Sequence, residues 1–406
     1  MGPLLFLIYI NDIVIDIESN IRLFADDTSL FLIVDGPDSS VDPLKNDIDK
    51  ISSWALKWNV SFNPTKSESL VISRRAQGPN RTPLVMQTHQ ILEVDSHKHL
   101  GLIFDKNGSW HSQLIHIVEK AWKRIAVMRK LKFQLDRKTL ENIYTTFIRP
   151  LLEYGDIVWD NCTATEKLEL NKIQNEASRI ATGATALVSL NELKKEIGWV
   201  SLEDRRKEHK LILMYKMINN SSPQYLSSLV PPLVGEVSQY NLRNSRSLTL
   251  PRCRTKLYSD SFLPSTVRDW NDLPDEIKAL PSINRFKKAI RHTQTKPPPY
   301  YYTGTRRLQV LHTRLRTGCS SLNSHLFSKN VIDSPLCLCG AAETVHHYFF
   351  VCPTYLNLRQ ILINSVSNIA NPSINLFLYG EGTLTIEANT KIFQHVQSYI
   401  DQTKRF

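Results

Sequence analysis

Residues 21–34 read IRLFADDTSLFLIV, two apolar runs broken at Ala25-Asp26-Asp27-Thr28. Short runs rich in Ile, Leu, Phe and Val favour strands, and a brief polar break between two of them predicts a β-hairpin with both carboxylates at its tip. Adjacent carboxylates on a rigid tip suit a divalent cation that prefers hard oxygen ligands. In phosphoryl transfer by two metals, such groups hold Mg²⁺ ions that activate a 3′-hydroxyl and stabilise leaving pyrophosphate. Taken alone, the pair reads first as an exposed polar turn, where Asp is common. The surroundings of the hairpin therefore decide its meaning.

Downstream, Leu44, Ile48, Ile51, Trp54, Ala55 and Trp58 recur at helical spacing over 42–59, with Asp42-Pro43 as cap and first position. Asn63-Pro64 breaks the chain. Short strands are expected near Ser69–Ile72 and over His99–Phe104, the latter ending in the Asp105-Lys106-Asn107-Gly108 turn. Upstream, Leu4–Ile10 is apolar throughout but has no basic flank and no small-residue cleavage site. It predicts a buried helix and not a leader peptide. No apolar run is long enough to span a bilayer, so the expected location is intracellular, nuclear and cytoplasmic, without a membrane partner.

From Trp110 the pattern turns mostly helical. Leu114, Ile117, Val118, Ala121, Ile125, Met128 and Leu131 keep one apolar stripe, and Lys120, Lys123, Arg124, Arg129, Lys130 and Lys132 crowd the remaining surface. Further helices are expected over 138–154, kinked or split at Pro150, over 165–181 and over 202–218. Residues 220–260 are loop-rich and carry Arg243, Arg246, Arg252 and Arg254. The 406 residues have a formal charge of +11. A surplus spread along the chain suggests a polyanionic partner, with simple solubility as the alternative.

Cys162, Cys253 and Cys319 are scattered, whereas Cys337, Cys339 and Cys352 cluster, a distribution that fits a reducing compartment with one metal site. With His347 they give C-x-C-x7-H-x4-C. Three thiolates and one imidazole complete a tetrahedral set for structural Zn²⁺ and leave no open position. The alternative is buried free cysteines beside a surface histidine. Arg306, Arg307, Arg314 and Arg316 lie just upstream and add candidate phosphate contacts.

The run Gly2-Pro3-Leu4-Leu5-Phe6-Leu7-Ile8-Tyr9-Ile10-Asn11-Asp12-Ile13, with Phe24-Ala25-Asp26-Asp27-Thr28 after it, resembles the palm of non-LTR (LINE-type, jockey-like) retrotransposon reverse transcriptases. Asn63-Pro64-Thr65-Lys66 and Lys98-His99-Leu100-Gly101-Leu102 are similar to the next palm motif and the primer grip. Arg149–Gly155 and Ile173-Gln174-Asn175 are similar to the thumb and the region adjoining it, and 241–286 to a stretch downstream of the polymerase whose Phe262, Trp270 and Phe286 read as a small core. Cys339-Gly340, Glu343-Thr344, His347 and Cys352-Pro353 resemble the terminal knuckle, and His347 rather than His346 gives the expected spacing to Cys352.

This resemblance implies an α+β fold: a partial palm over 1–108, a helical thumb and connection over 109–219, a loop-rich basic region over 220–296, a Pro/Tyr linker over 297–303 and a Cys/His knuckle domain over 304–406. It implies RNA-directed DNA polymerase chemistry, a nucleotidyl transfer, with Asp26 and Asp27 holding Mg²⁺ and Lys66 beside the incoming deoxynucleotide. Lys98 and Gly101 would face the primer, and Lys120, Lys123, Arg124 and Lys130 the phosphates of RNA template and DNA primer. The family's palm has another aspartate on an earlier strand, upstream of Met1 here, so this polypeptide is expected to be inactive alone. The alternatives are a nucleic-acid-binding remnant and a pseudogene product. Oligomeric state is not legible.

Overall fold

The computed structural model describes residues 1–33, 42–73, 83–237, 246–291 and 296–406. Val34, Arg243 and the start of the 241–286 stretch lie outside the described residues. Helices dominate and short strands gather before residue 106, which makes the fold mixed α+β. The chain divides into two compact units, Met1–Ile115 and His116–Phe406.

In the first unit the expected hairpin forms: Asn20–Phe24 pairs antiparallel with Asp27–Phe31, and Phe24 stands opposite Asp27. Its Ile21, Leu23 and Leu30 pack on a small core of Ile10, Ile13 and Ile51, together with Trp54 from helix Asp42–Lys57. Asp47 of that helix is fully buried and fixes the start of the hairpin. Its carboxylate accepts hydrogen bonds from the backbone N–H of Ser19 at 2.7 Å and of Glu18 at 3.0 Å, and from Lys50 at 3.3 Å. Desolvation opposes the charge, but these bonds from Ser19, Glu18 and Lys50 hold its pKa below the usual carboxylate value.

Three expectations change here. Gly2–Ile10 is helical, yet Leu4, Leu5 and Ile8 are about 60% exposed and Ile10 is the one buried residue. A helix that is apolar all round needs neighbours on every side. The described residues supply one side, where Tyr9 meets Trp54 and Trp58 edge-on and donates its hydroxyl to the Trp58 carbonyl. Residues 99–104 are two strands, not one: Ser96–His99 pairs antiparallel with Leu102–Asp105. Leu100 (φ +47°) and Gly101 (φ +82°) form the two-residue turn between them. Positive φ at both central positions matches the right-handed twist of the flanking strands, and Gly is favoured at such a position. The strand near Ser69–Ile72 is confined to Glu68–Ser69, parallel to Leu92–Glu93.

Helix His111–Leu131 enters the second unit at His116, and its expected stripe is buried there at Ile117, Ala121, Ile125 and Met128 and half-buried at Val118 and Leu131. The 138–154 segment runs as Arg137–Ile143, a π-turn over Tyr144–Ile148, and Arg149–Glu153. Pro150 has no N–H to give to the preceding turn, and the wider π-turn takes up the break. Helix Ala164–Thr182 starts on a Thr163–Glu166 capping box and stops at Gly183 (φ +78°). A Cβ on Gly183 would lie 2.4 Å from Val310 of helix Arg306–Arg316, so this close approach requires glycine. Helix Leu202–Ile218 shares a core of Leu211, Met214 and Tyr215 with Trp270 and Phe286. Phe262, by contrast, is half-buried outside that cluster. A last core gathers Tyr348, Phe349, Phe377, Ile392, Val396 and Tyr399. No helix among the described residues is long and apolar enough to cross a membrane.

Candidate functional site

At the hairpin tip Ala25 adopts φ +54°, an uncommon conformation for a residue with a Cβ and one found disproportionately where function holds strain in place. Asp26 and Asp27 come next, both exposed. Lys66 is the exposed last residue of a short 3-10 turn, Pro64–Lys66, whose start is capped by Asn63 Oδ1 accepting from the Thr65 N–H at 3.0 Å. Lys98 is exposed on the second hairpin, and Gly101 sits in its turn.

Neighbours of these residues join the three segments. His97 Nδ1 lies 2.7 Å from Glu68 Oε2, two residues beyond Lys66. His99 Nδ1 lies 3.5 Å from Ser29 Oγ on the strand that carries Asp27. The structure thus links the segments of Asp26-Asp27, Lys66 and Lys98-Gly101, through side chains that sequence reasoning passed over. The alternation His97-Lys98-His99 on a strand, which puts both histidines on one face, was the available signal. Asp47 gave none, since one acidic residue among the polar positions of a helix carries no mark of burial.

On helix His111–Leu131, Lys120, Lys123 and Lys130 stand exposed, with half-exposed Val127 among them. Steps of 100° per residue place these four within one quadrant of the helix. Arg124 is held differently: its guanidinium lies 3.9 Å from the centroid of the Phe147 ring and donates to the Phe147 carbonyl. Arg129 pairs with Glu176 at 2.9 Å.

The arginines expected to contact phosphate near the C-terminal region mostly turn inward. Arg306 donates to the carbonyls of Lys132, Ile180 and Ala181 at 2.9, 2.6 and 2.6 Å, and Arg314 to that of Gly183 at 3.0 Å. The last carbonyls of a helix lack intrahelical partners and carry partial negative charge, which makes them natural acceptors for guanidinium. Arg316 and Arg137 meet the buried Glu196 at 2.8 and 2.5 Å. Burial opposes ionisation of Glu196, but Arg316 and Arg137 outweigh it and bring its pKa down to about 2. Arg307 alone of the four stays exposed, 2.6 Å from Asp401.

Cys337, Cys339, His347 and Cys352 converge, every ligand atom within 4.8 Å of the others. Two sulfurs at about 2.3 Å from a tetrahedral zinc would lie about 3.8 Å apart. Cys337 Sγ and Cys352 Sγ are 3.8 Å apart, and Cys339 Sγ is 3.2 Å from His347 Nε2. Gly340 (φ +86°) turns the chain directly after Cys339, and a π-turn over His347–Val351 delivers Cys352. His346 instead stacks on Phe350. Burial raises the Cys337 thiol pKa, while hydrogen bonding from Thr354 keeps that of Cys352 low despite its own desolvation. Around the set, Arg359 donates to the Cys352 carbonyl at 2.7 Å, and Arg405 pairs with the buried Glu343 at 2.6 Å. This is a cluster that could hold a zinc ion.

No family model matches the chain. Over 217 residues it is 22% identical to a protein described as a probable RNA-directed DNA polymerase from transposon X-element of Drosophila melanogaster, covering 52% of this chain and 24% of that protein. It is 19% identical over 223 residues to a probable RNA-directed DNA polymerase from transposon BS of the same fly, again 52% and 24%. It is 23% identical over 223 residues to the RNA-directed DNA polymerase from mobile element jockey of Drosophila funebris, 51% and 24%. The matches therefore span about a quarter of the length of these curated relatives. The chain is similar, at low identity over half its length, to non-LTR retrotransposon RNA-directed DNA polymerases.

Proposed function

We propose that this chain acts as part of an RNA-directed DNA polymerase of a mobile element, with residues 1–108 as partial palm, 109–219 as thumb and connection, and 304–406 as a zinc-knuckle domain. The observation that carries the reading is the Ala25-Asp26-Asp27 tip, a positive-φ alanine presenting two exposed carboxylates, in a chain similar to three such polymerases. Asp26 and Asp27 bind Mg²⁺, which when present supplies activation of the primer 3′-hydroxyl and charge neutralisation at pyrophosphate. Lys66 stands at the incoming deoxynucleotide as a proton donor to the leaving group. The Lys98–Gly101 turn seats the primer end. Lys120, Lys123 and Lys130 contact phosphates of the template–primer duplex, and Arg124 shapes that face through Phe147. Cys337, Cys339, His347 and Cys352 hold structural Zn²⁺.

A second reading, nucleic-acid binding without catalysis, is favoured by one observation: Asp26 and Asp27 stand as a pair, with no third metal-type side chain grouped with them among the described residues. Two-metal transfer depends on closely fixed ligands. Primer extension on an RNA template with Mg²⁺ separates the readings. Extension abolished by Asp26→Asn supports polymerase chemistry in this chain. No extension, with RNA binding that weakens steeply with salt, supports the binding-only reading.

A further inference from the structure

A cleft of about 640 Å³ opens in the second unit, between Gly155 with the short helix Asp156–Trp159 that follows it, helix Leu202–Ile218 and helix Ile283–Ile290. Apolar side chains line it, Ile157, Val158, Ile212 and Leu213. Its lining includes Lys216, Lys287 and Arg291, and none of these three is ion-paired among the described residues. The other cationic side chains of the cleft are already held. Arg205 forks onto Glu153, and His209 Nδ1 sits 2.7 Å from the Oδ2 of the buried Asp156. Two carboxylates also line the cleft, Asp156, which His209 holds, and the buried Glu208.

Three unpaired cations around one concavity repel each other and concentrate the field over its mouth, which favours an anion there. Apolar and cationic side chains lining one cleft ask for a ligand with both characters. We propose that this cleft binds a nucleotide unit, its phosphate between Lys216, Lys287 and Arg291 and its sugar or base against Ile157 and Leu213. The proposal deepens the nucleic-acid reading given above and rests on it for the source of the nucleotide, a single strand rather than a free nucleotide. Contacts of this kind to phosphate carry affinity without base choice.

The test uses the full chain, a fluorescein-labelled oligouridylate, and AMP as the free nucleotide. Lysine acetylation read by mass spectrometry reports occupancy at Lys216 and Lys287 directly. The expected result is that oligouridylate protects both lysines and AMP does not. Lys287→Glu with Arg291→Glu should then weaken oligouridylate binding and reduce its log–log salt slope by about 1.4, two contacts at ~0.7 each. Both side chains are exposed, so the urea midpoint should hold and exclude misfolding as the cause. Protection by AMP alone would establish the cleft with the other source. Should neither ligand protect the lysines and the double variant bind as wild type, the cleft is overturned, even if reversal of Lys120 and Lys123 shows that RNA binds elsewhere. If the wild type binds no oligouridylate while AMP protects the lysines, the nucleic-acid reading fails and the cleft stands.

Discussion

Helices His111–Leu131 and Arg306–Arg316 look alike on paper: both are basic, and both invite assignment to a phosphate backbone. Folded, they part company. The first leaves Lys120, Lys123 and Lys130 in solvent on one quadrant, whereas the second turns Arg306, Arg314 and Arg316 onto helix-end carbonyls and a buried glutamate. The residue types anticipate the difference. Lysine carries a compact, strongly hydrated charge that favours water, while the planar guanidinium offers five donors in a fork and tolerates burial when each finds an acceptor. Net charge therefore overstates the surface available to a polyanion.

The largest expected effect breaks the inward set. Arg316→Met takes a guanidinium off Glu196, leaves Arg137 and the Thr313 hydroxyl there, and strips the cation that lies 3.9 Å from the centre of the Tyr301 ring. Removing one member of a buried ion pair typically costs about 3–5 kcal/mol. Urea unfolding should show a loss of that order, with RNA affinity of the folded fraction unchanged. A variant as stable as wild type that binds RNA poorly would put Arg316 with the lysines and erase the contrast.

Much of this was readable in advance and some was not. The hairpin around Asp26, the stripe from Ile117 to Met128 and the Cys/His spacing are local patterns, with partners a few residues apart, so periodicity and turn chemistry suffice. Arg306 finds its acceptors 125 and 126 residues away at Ala181 and Ile180, and Asp47 reaches back 28 residues to Ser19. No window along the chain contains those pairs. Leu4–Ile10 shows the converse limit: hydrophobicity states that a helix wants cover, but not whether the residues at hand provide it.

The same buried carboxylate sets a pH window. Glu196 has its folded pKa lowered to about 2 from a reference of 4.5. A depressed carboxylate adds stability that is complete above its unfolded value and lost as pH falls through the folded one. The stability gap between wild type and Glu196→Gln should thus be constant near neutrality and close between about pH 4.5 and pH 2. A gap that ignores acid would mean the glutamate is not ionised in the fold.

Next in size is the outward set. Charge reversal at Lys120, Lys123 and Lys130 should leave the urea midpoint nearly unchanged, since exposed substitutions stay within about 0.5 kcal/mol. It should flatten the salt dependence of duplex binding by about 2.7, three contacts at ~0.9 each. An unaltered slope would remove the phosphate role from this helix. Removal of metal offers a control in a third place: Cys339→Ser should lower zinc content while leaving that slope intact, because the cluster lies on a different element.

The smallest effect sharpens the comparison inside one helix. Arg307 sits beside Arg306, yet its pair with Asp401 is about half exposed on both sides, whereas Arg306 is held by three carbonyls. An exposed pair of this kind is worth about 0.2–1 kcal/mol. Arg307→Ala should therefore move stability by less than Arg306→Ala, which leaves helix-end carbonyls without their donor. Burial also pushes the Arg306 guanidinium pKa down to about 10, the sign of a cation kept from water. If the two alanine variants lost equal stability, the carbonyl contacts of Arg306 would be incidental, and position on the helix would no longer distinguish an arginine held by buried carbonyls from one held in an exposed pair.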